Sequence, residues 1–345
     1  MLRKLALNVV RFSGLGSLAR PWVGGLGAIL MLHRVTAAPG KPLGLNRHLT
    51  VCPSFLDGLI AEMKRRHYRF VSLDEVIDRI RIGKGSERFA TITADDGYRD
   101  NLTEALPVFE KHETPFTIYI APALINGVAD LWWEAVEDIV TARERFYLAT
   151  PGGRVQLDCS TPARKLVAAS ALHDYLTIDV SEEEQTPTLR AIAASVGIDS
   201  SIPRRALMNW DEIRQVAAHP LATIGAHTVN HYALRRLSLE KAWREVADAA
   251  AILRIETGET PRHMAYPYGY DSAVGPREVD LAREAGYESA VTTRHGVVRA
   301  GHRDHLHALP RISLNGRYQR IAHVRTMLSG LTTPLANSGK MVVTV

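Results

Sequence analysis

Short apolar runs, each about one strand long, alternate with helical patterns almost from end to end of this chain. The strand-like runs are residues 28–32, 69–73, 89–93, 117–121, 221–226, 263–266, 289–293 and 307–312. Helical patterns separate them. In residues 53–66, for example, Phe55, Leu59, Ile60 and Met63 share one face and Ser54 stands near the start. Further helices are expected over 72–82, 99–112, 238–257, 276–285 and 317–330. This alternation specifies an α/β fold. Seven or eight parallel strands with intervening helices fit a barrel better than an open sheet, so the expected fold is a distorted (β/α)7–8 barrel.

The barrel is expected to occupy residues 28–330, after a basic amphipathic segment at 1–27 and before a C-terminal tail at 331–345. Residues 122–220 break the regular alternation. They read as a helical insertion, with helices at 131–144, within 162–196 and at 210–218, and a hairpin arm at 152–158. Its apolar faces are too narrow to stand alone.

The composition, 46% hydrophobic and 23% charged over 345 residues, is that of an ordinary globular chain. The net charge of +5 is scattered, with no long basic block, so nucleic acid is not an expected partner. Cys52 and Cys159 match no metal or redox spacing. Near the N-terminus, Leu2, Leu5, Ala6, Val9, Val10 and Phe12 recur at helical spacing among Arg3, Lys4 and Arg11. A short helix packed on the domain is the plainer reading, and peripheral membrane contact through residues 1–20 is the sharper one. Arg11 interrupts any signal-peptide core, and the apolar run 22–32 is too short to span a bilayer. The expected location is the cytoplasm, with the inner membrane surface as the alternative.

Chemistry concentrates where strands end. The run 89–93 leads into Asp95-Asp96-Gly97. Adjacent carboxylates repel and lose hydration, so either they cap the next helix or they divide two tasks, one holding a metal and one taking a proton. His227-Thr228-Val229-Asn230-His231 follows another buried run and puts two imidazoles at i and i+4, a spacing that can bind one ion. One carboxylate and two histidines leave an open position, as a catalytic metal site requires. Tyr266-Pro267-Tyr268-Gly269 forms a tight turn whose backbone N–H can face a developing oxyanion.

With these three stretches the chain resembles the polysaccharide deacetylases of the NodB-homology group, carbohydrate esterase family 4. The family's T-F-D-D-G motif matches Thr93 to Gly97, its H-[ST]-x-x-H motif matches His227 to His231, and its proline turn ending in Tyr-Gly matches Tyr266 to Gly269 in part. The likeness runs from about residue 28 to 315. Details such as Leu30 to Val35, Leu131-Trp132-Trp133 and Leu309 to Ile312 are most similar to chitooligosaccharide deacetylases. The resemblance implies a NodB-type barrel and removal of N-acetyl groups from oligo- or polysaccharides containing N-acetylglucosamine.

It further implies Asp95 as general base, and Asp96, His227 and His231 as ligands to a divalent metal, most often zinc, otherwise cobalt or manganese. The metal would polarise the acetamide and activate its bound water, with the backbone at Tyr268 holding the oxyanion. Four features depart from the family pattern. Ala94 replaces its Phe. Ala265 replaces the arginine that orients the base, a role Arg311 is placed to supply. The late Leu-x-His motif has no clean match, which leaves His33 or His307 as general acid, His33 preferred. The family's fourth-motif tryptophan has no counterpart near Gly286 to Ser289. Trp132 and Trp133 are either sugar-stacking or core residues. Rival readings are a deacetylase of a lipid-linked sugar, an O-acetyl esterase, and a non-catalytic glycan-binding protein on the same fold.

Overall fold

The computed structural model describes residues 23–83, 87–150 and 152–345. The expected amphipathic segment falls almost wholly on residues 1–22, outside the described residues. Among the described residues, no helix is long and apolar enough to cross a membrane.

Eight strands form the main sheet: β1 (Gly27–Leu32), β2 (Tyr68–Phe70), β3 (Arg88–Ala94), β4 (Phe116–Ile120), β5 (Ala222–Ala226), β6 (His263–Ala265), β7 (Ser289–His295) and β8 (Leu309–Ser313). Seven of them close a parallel ring in the order β1-β8-β7-β6-β5-β4-β3 and back to β1. The eighth, β2, lies outside the ring on the first half of β3, paired at Tyr68↔Arg88 to Phe70↔Ala90. β4 takes the second half of the same edge, from Ile92↔Phe116 to Ala94↔Ile118. The barrel is thus a closed (β/α)7 form.

These strands are apolar on both faces because one face fills the barrel and the other meets helices. Every residue from Phe89 to Ala94 is buried. Gly225 shows how tightly the interior is filled. A Cβ there would sit 2.4 Å from the Tyr119 ring on the neighbouring strand.

Local chemistry sets the helix ends. Ser72 caps helix Leu73–Ile82 by accepting from the Glu75 N–H, and Gly83, at φ 71°, ends it. Ser238 and Gly258 do the same for helix Leu239–Thr257. The helix expected over 99–112 instead begins as a wide π-turn at Asn101–Ala105, and a regular α-helix spans only Leu106–Lys111. Pro107 explains the break, because it has no N–H for the usual bond to Thr103.

The last strand starts at Leu309, two residues later than expected, because Leu306–Ala308 is a 3-10 turn. The helix expected over 317–330 is Ile321–Leu328. Within the expected tail, Thr332–Ala336 is helical and Val343 is buried.

The chain folds as two compact units. One comprises residues through Ala37, His48–Pro122 and Met208–Val345, and holds the barrel. The other comprises Ala38–Arg47 and Ala123–Leu207. It contains the hairpin Arg145–Thr150/Gly153–Asp158 and helices Trp132–Ala142, Pro162–Asp174 and Glu182–Ser195. Its core includes Trp132, which packs edge-on against Trp133 (5.7 Å) and His173 (5.4 Å). Buried Asp130 ties it together through Arg190 and Ser200.

Candidate active site

All but one of the polar residues singled out in the sequence converge at the C-terminal mouth of the barrel, where βα loops carry chemistry in such folds. Each leaves its strand while still held by the neighbouring one. Asp95 N–H donates to Leu32 O (3.1 Å), His227 N–H to Ile120 O (2.9 Å) and Tyr266 N–H to Val291 O (3.1 Å). The sheet therefore fixes where each side chain starts.

Asp95 and Asp96 point to different tasks. Arg311, on β8, grips Asp95 with both arms of its guanidinium: Nη1 to Oδ1 and Nη2 to Oδ2, each 2.7 Å. Two more of its donors are used, Nε on Thr292 O (2.9 Å) and Nη1 on Thr93 Oγ1 (3.1 Å). Arg311 and Asp95 are 1% and 2% exposed, so this is a fully buried ion pair. Burial by itself would raise the Asp95 pKa, but the Arg311 charge and hydrogen bonds outweigh it and hold the carboxyl below its usual range. Asp95 therefore stands ionised at neutral pH.

Asp96 has different neighbours. Its Oδ1 lies 3.5 Å from His227 Nε2 and 3.3 Å from His231 Nε2. The three ligand atoms lie within 4.8 Å of one another, and all three residues are buried. Asp96 Oδ1 makes no hydrogen bond, an unusual state for a buried carboxylate oxygen. His227 Nδ1 lies 2.7 Å from Ala265 O, and a carbonyl can only accept. In neutral His227 the proton is thus on Nδ1, and the Nε2 lone pair faces Asp96. Lone pairs converging on one point, with an outer hydrogen bond fixing the tautomer, is how a metal site is built. The donor set fits a divalent cation.

Backbone strain gathers at the same place. Of the seven left-handed non-glycine residues among those described, four are here: Asp96 (φ 72°), Thr228 (58°), His231 (60°) and Tyr268 (63°). Thr228 is β-branched, which makes its conformation a genuine outlier. Such residues cost about 1–3 kcal/mol each and persist only when their surroundings over-determine them. At the histidine turn the restraint comes from Glu245 on helix Leu239–Thr257. Its Oε2 accepts from the Val229 N–H (3.0 Å) and Asn230 N–H (2.7 Å), and its Oε1 from Asn230 Nδ2 (2.5 Å). Thr228 Oγ1 accepts from the His231 N–H (3.1 Å). At the tyrosine turn, Gly269 (φ 61°) brings the chain so close to β7 that a Cβ would lie 2.4 Å from Thr293 N. The Tyr268 ring packs edge-on against His231, centroids 5.0 Å apart.

The two candidate acids part company. His33 follows β1, with Nε2 3.9 Å from Asp95 Oδ2 and its side chain 20% exposed. Asn101 Nδ2 donates to its carbonyl (2.8 Å), and Asp100 holds the next residues through the Val35 N–H (3.0 Å) and Arg34 Nε (2.8 Å). His307 precedes β8, at the opposite end of the strands from the metal cluster. Its Nε2 bonds Tyr287 O (2.7 Å), just before β7 begins, and burial pushes its pKa down. The structure brings Asp95, Asp96, His33, His227, His231, Tyr268 and Arg311 together and leaves His307 out.

Sequence reasoning missed Glu245, Asp100 and Asn101. Glu245 lies mid-helix, and no spacing links it to Val229. Asp100 and Asn101 stand near the aspartate pair in a segment that reads as plain helix.

Residues 175–290 match the family model described as polysaccharide deacetylase, a stretch that contains the histidine and tyrosine turns. Solved structures share the fold over most of the chain. The Streptococcus pyogenes deacetylase PplD, solved with acetate, is 18% identical with a TM-score of 0.58, over 87% of this chain and 97% of that one. IcaB from Ammonifex degensii is 16% identical with a TM-score of 0.54, over 88% and 98%. A polysaccharide deacetylase from Bacillus cereus is 16% identical with a TM-score of 0.55, over 88% and 68%. At these identities the likeness is one of fold. No curated protein matches the chain in sequence.

Proposed function

We propose that this chain is a metal-dependent N-deacetylase of oligo- or polysaccharides containing N-acetylglucosamine, a reading that the polysaccharide deacetylase match over residues 175–290 and the closed barrel support. One observation carries this reading. An aspartate held ionised by a bidentate arginine adjoins an aspartate whose free oxygen converges with two imidazoles. The first is equipped to take a proton, and the second to hold a cation.

Asp96, His227 and His231 would hold the ion. Two imidazoles and one carboxylate suit Zn²⁺ best and also accept Co²⁺ or Mn²⁺. When bound, the ion acts as a Lewis acid on the acetamide carbonyl and acidifies water. Asp95 accepts the proton of the attacking water. Each of its oxygens keeps a second lone pair beyond the one that Arg311 occupies. The Tyr268 backbone N–H, on its left-handed turn, stabilises the oxyanion as it develops. His33, close to Asp95 and partly exposed, donates a proton to the departing amine nitrogen. The C–N bond breaks as the new C–O bond is kept, which yields acetate and a free amino sugar.

The direct test is acetate release from a panel of chito-oligosaccharides, with and without chelator. Release that stops on chelation and returns with zinc is the expected result. Silence on every sugar by metal-loaded protein would favour a glycan-binding role instead.

A further inference from the structure

The turn that follows the proposed oxyanion residue carries an exposed aromatic ring that the reaction itself does not use. Tyr270 is 48% exposed. Its ring lies 5.9 Å from that of Tyr268, tilted by 47°, and Tyr268 in turn lies 5.0 Å from His231. Two successive ring contacts thus join Tyr270 to the cluster through Tyr268.

The turn beneath it is held stiffly. Tyr270 O accepts from the Ala273 N–H (2.9 Å) and the Val274 N–H (3.1 Å). Arg235 Nη1 donates to Asp271 O (2.6 Å), and its own N–H to Ala273 O (3.0 Å). From the other side, Arg294 Nη2 donates to Val274 O (3.1 Å) and pairs with Asp271 Oδ1 (2.9 Å). Ala273 and Val274 are buried. A loop that merely tolerated a surface tyrosine would need no clamp of two arginines. A recognition surface gains from one, because a ring fixed in advance loses little entropy on binding.

We infer that Tyr270 is the platform of a second sugar subsite, on which the pyranose next to the one being deacetylated lays its C–H face. This rests on the deacetylase reading above. A pyranose has an apolar face and a rim of hydroxyls. The tyrosine ring suits the first, and the exposed Asp271 carboxylate next to it in the chain can accept hydrogen bonds from the second. The site therefore favours an oligomer over a single sugar.

The test compares wild type, Tyr270→Ala and Tyr270→Phe, full-length and zinc-loaded, on tetra-N-acetylchitotetraose and on N-acetylglucosamine. Tyr270→Ala is expected to lower the tetramer-to-monomer ratio of kcat/KM about tenfold, with the loss carried by KM, as removal of uniform binding requires. Tyr270→Phe, which keeps the ring, should hold the ratio within about twofold of wild type. An unchanged ratio in Tyr270→Ala, or an equal loss in Tyr270→Phe, would overturn the platform. Calorimetric binding of the tetramer to the same proteins separates this from failure of the deacetylase reading. If wild type releases no acetate, tighter tetramer binding that Tyr270→Ala abolishes still supports the platform. Binding that is absent, or equal in both proteins, overturns it.

Discussion

Replacing Arg311 by methionine should disable the proposed base, Asp95, without touching the proposed metal ligands. The substitution fills similar space and removes the guanidinium. Asp95 then loses two 2.7 Å charge-assisted bonds while staying buried, and Thr93 Oγ1 and Thr292 O each lose a donor. Breaking a buried ion pair from one side typically costs about 3–5 kcal/mol, because the remaining charge is uncompensated. Asp95 can escape that cost only by taking up a proton. Its pKa, now held below the usual carboxylate range by Arg311, must rise.

The sign is definite. In wild type Asp95 stays ionised as pH falls below the ordinary carboxylate pKa, so it does not limit the rate there. In Arg311→Met the acid limb of kcat/KM moves to higher pH. Loss of a general base costs roughly 10²–10⁴-fold, so turnover at neutral pH should drop by up to that factor. Arg311→Lys should fall between, since an ammonium keeps the charge and loses the fork. The assay is a pH profile of acetate release, run beside thermal unfolding and metal content. A methionine variant that is folded and metal-loaded, with wild-type rate and an unmoved acid limb, would refute the assignment.

Three further outcomes follow from the structure. Glu245→Gln removes the charge that gathers two backbone N–H groups of the histidine turn, and metal affinity measured by competition with a chelating dye should fall about 10–100-fold, as for other outer partners of ligands. Gly225→Ala drives a methyl into the Tyr119 ring and should cost about 1–3 kcal/mol in denaturant unfolding; an unchanged midpoint would show that the barrel interior yields more than its packing suggests. Asp74 is held ionised chiefly by its 2.9 Å hydrogen bond with His263, which lowers its folded pKa, so its contribution is present above the ordinary carboxylate pKa and is lost as pH falls through the lowered value. Asp74→Asn should flatten that acid-side loss in a series of melting temperatures.

Much of this was legible in the sequence because period and punctuation agree. Strand runs such as 89–93 end in polar residues, and Ser72, Gly83, Ser238 and Gly258 mark helix ends by local chemistry that needs no tertiary context. The cluster of Asp96, His227 and His231 was legible because its members lie in two compact motifs. The fork of Arg311 on Asp95 needed the closed ring, which brings β8 beside β1 and lets a side chain cross the barrel to β3. The wide turn at Asn101–Ala105 was hidden because Pro107 acts on the hydrogen-bond ladder ahead of it. Glu245 was hidden for a different reason. A glutamate in a charged helix has no local mark to show that its partners are backbone groups of a distant turn. His307 stood beside the right strand, and only the parallel direction of β8 reveals that it sits at the wrong end.

The division of labour between the two aspartates is the centre of this account. It is tested most directly by metal content and acetate release measured on one preparation of Asp95→Asn. The account predicts near-normal metal with turnover reduced by about 10²–10⁴-fold, while Asp96→Ala, assayed alongside, loses the metal itself. An Asp95→Asn protein that has lost its metal, beside an Asp96→Ala protein that keeps it, would show the two roles to be reversed.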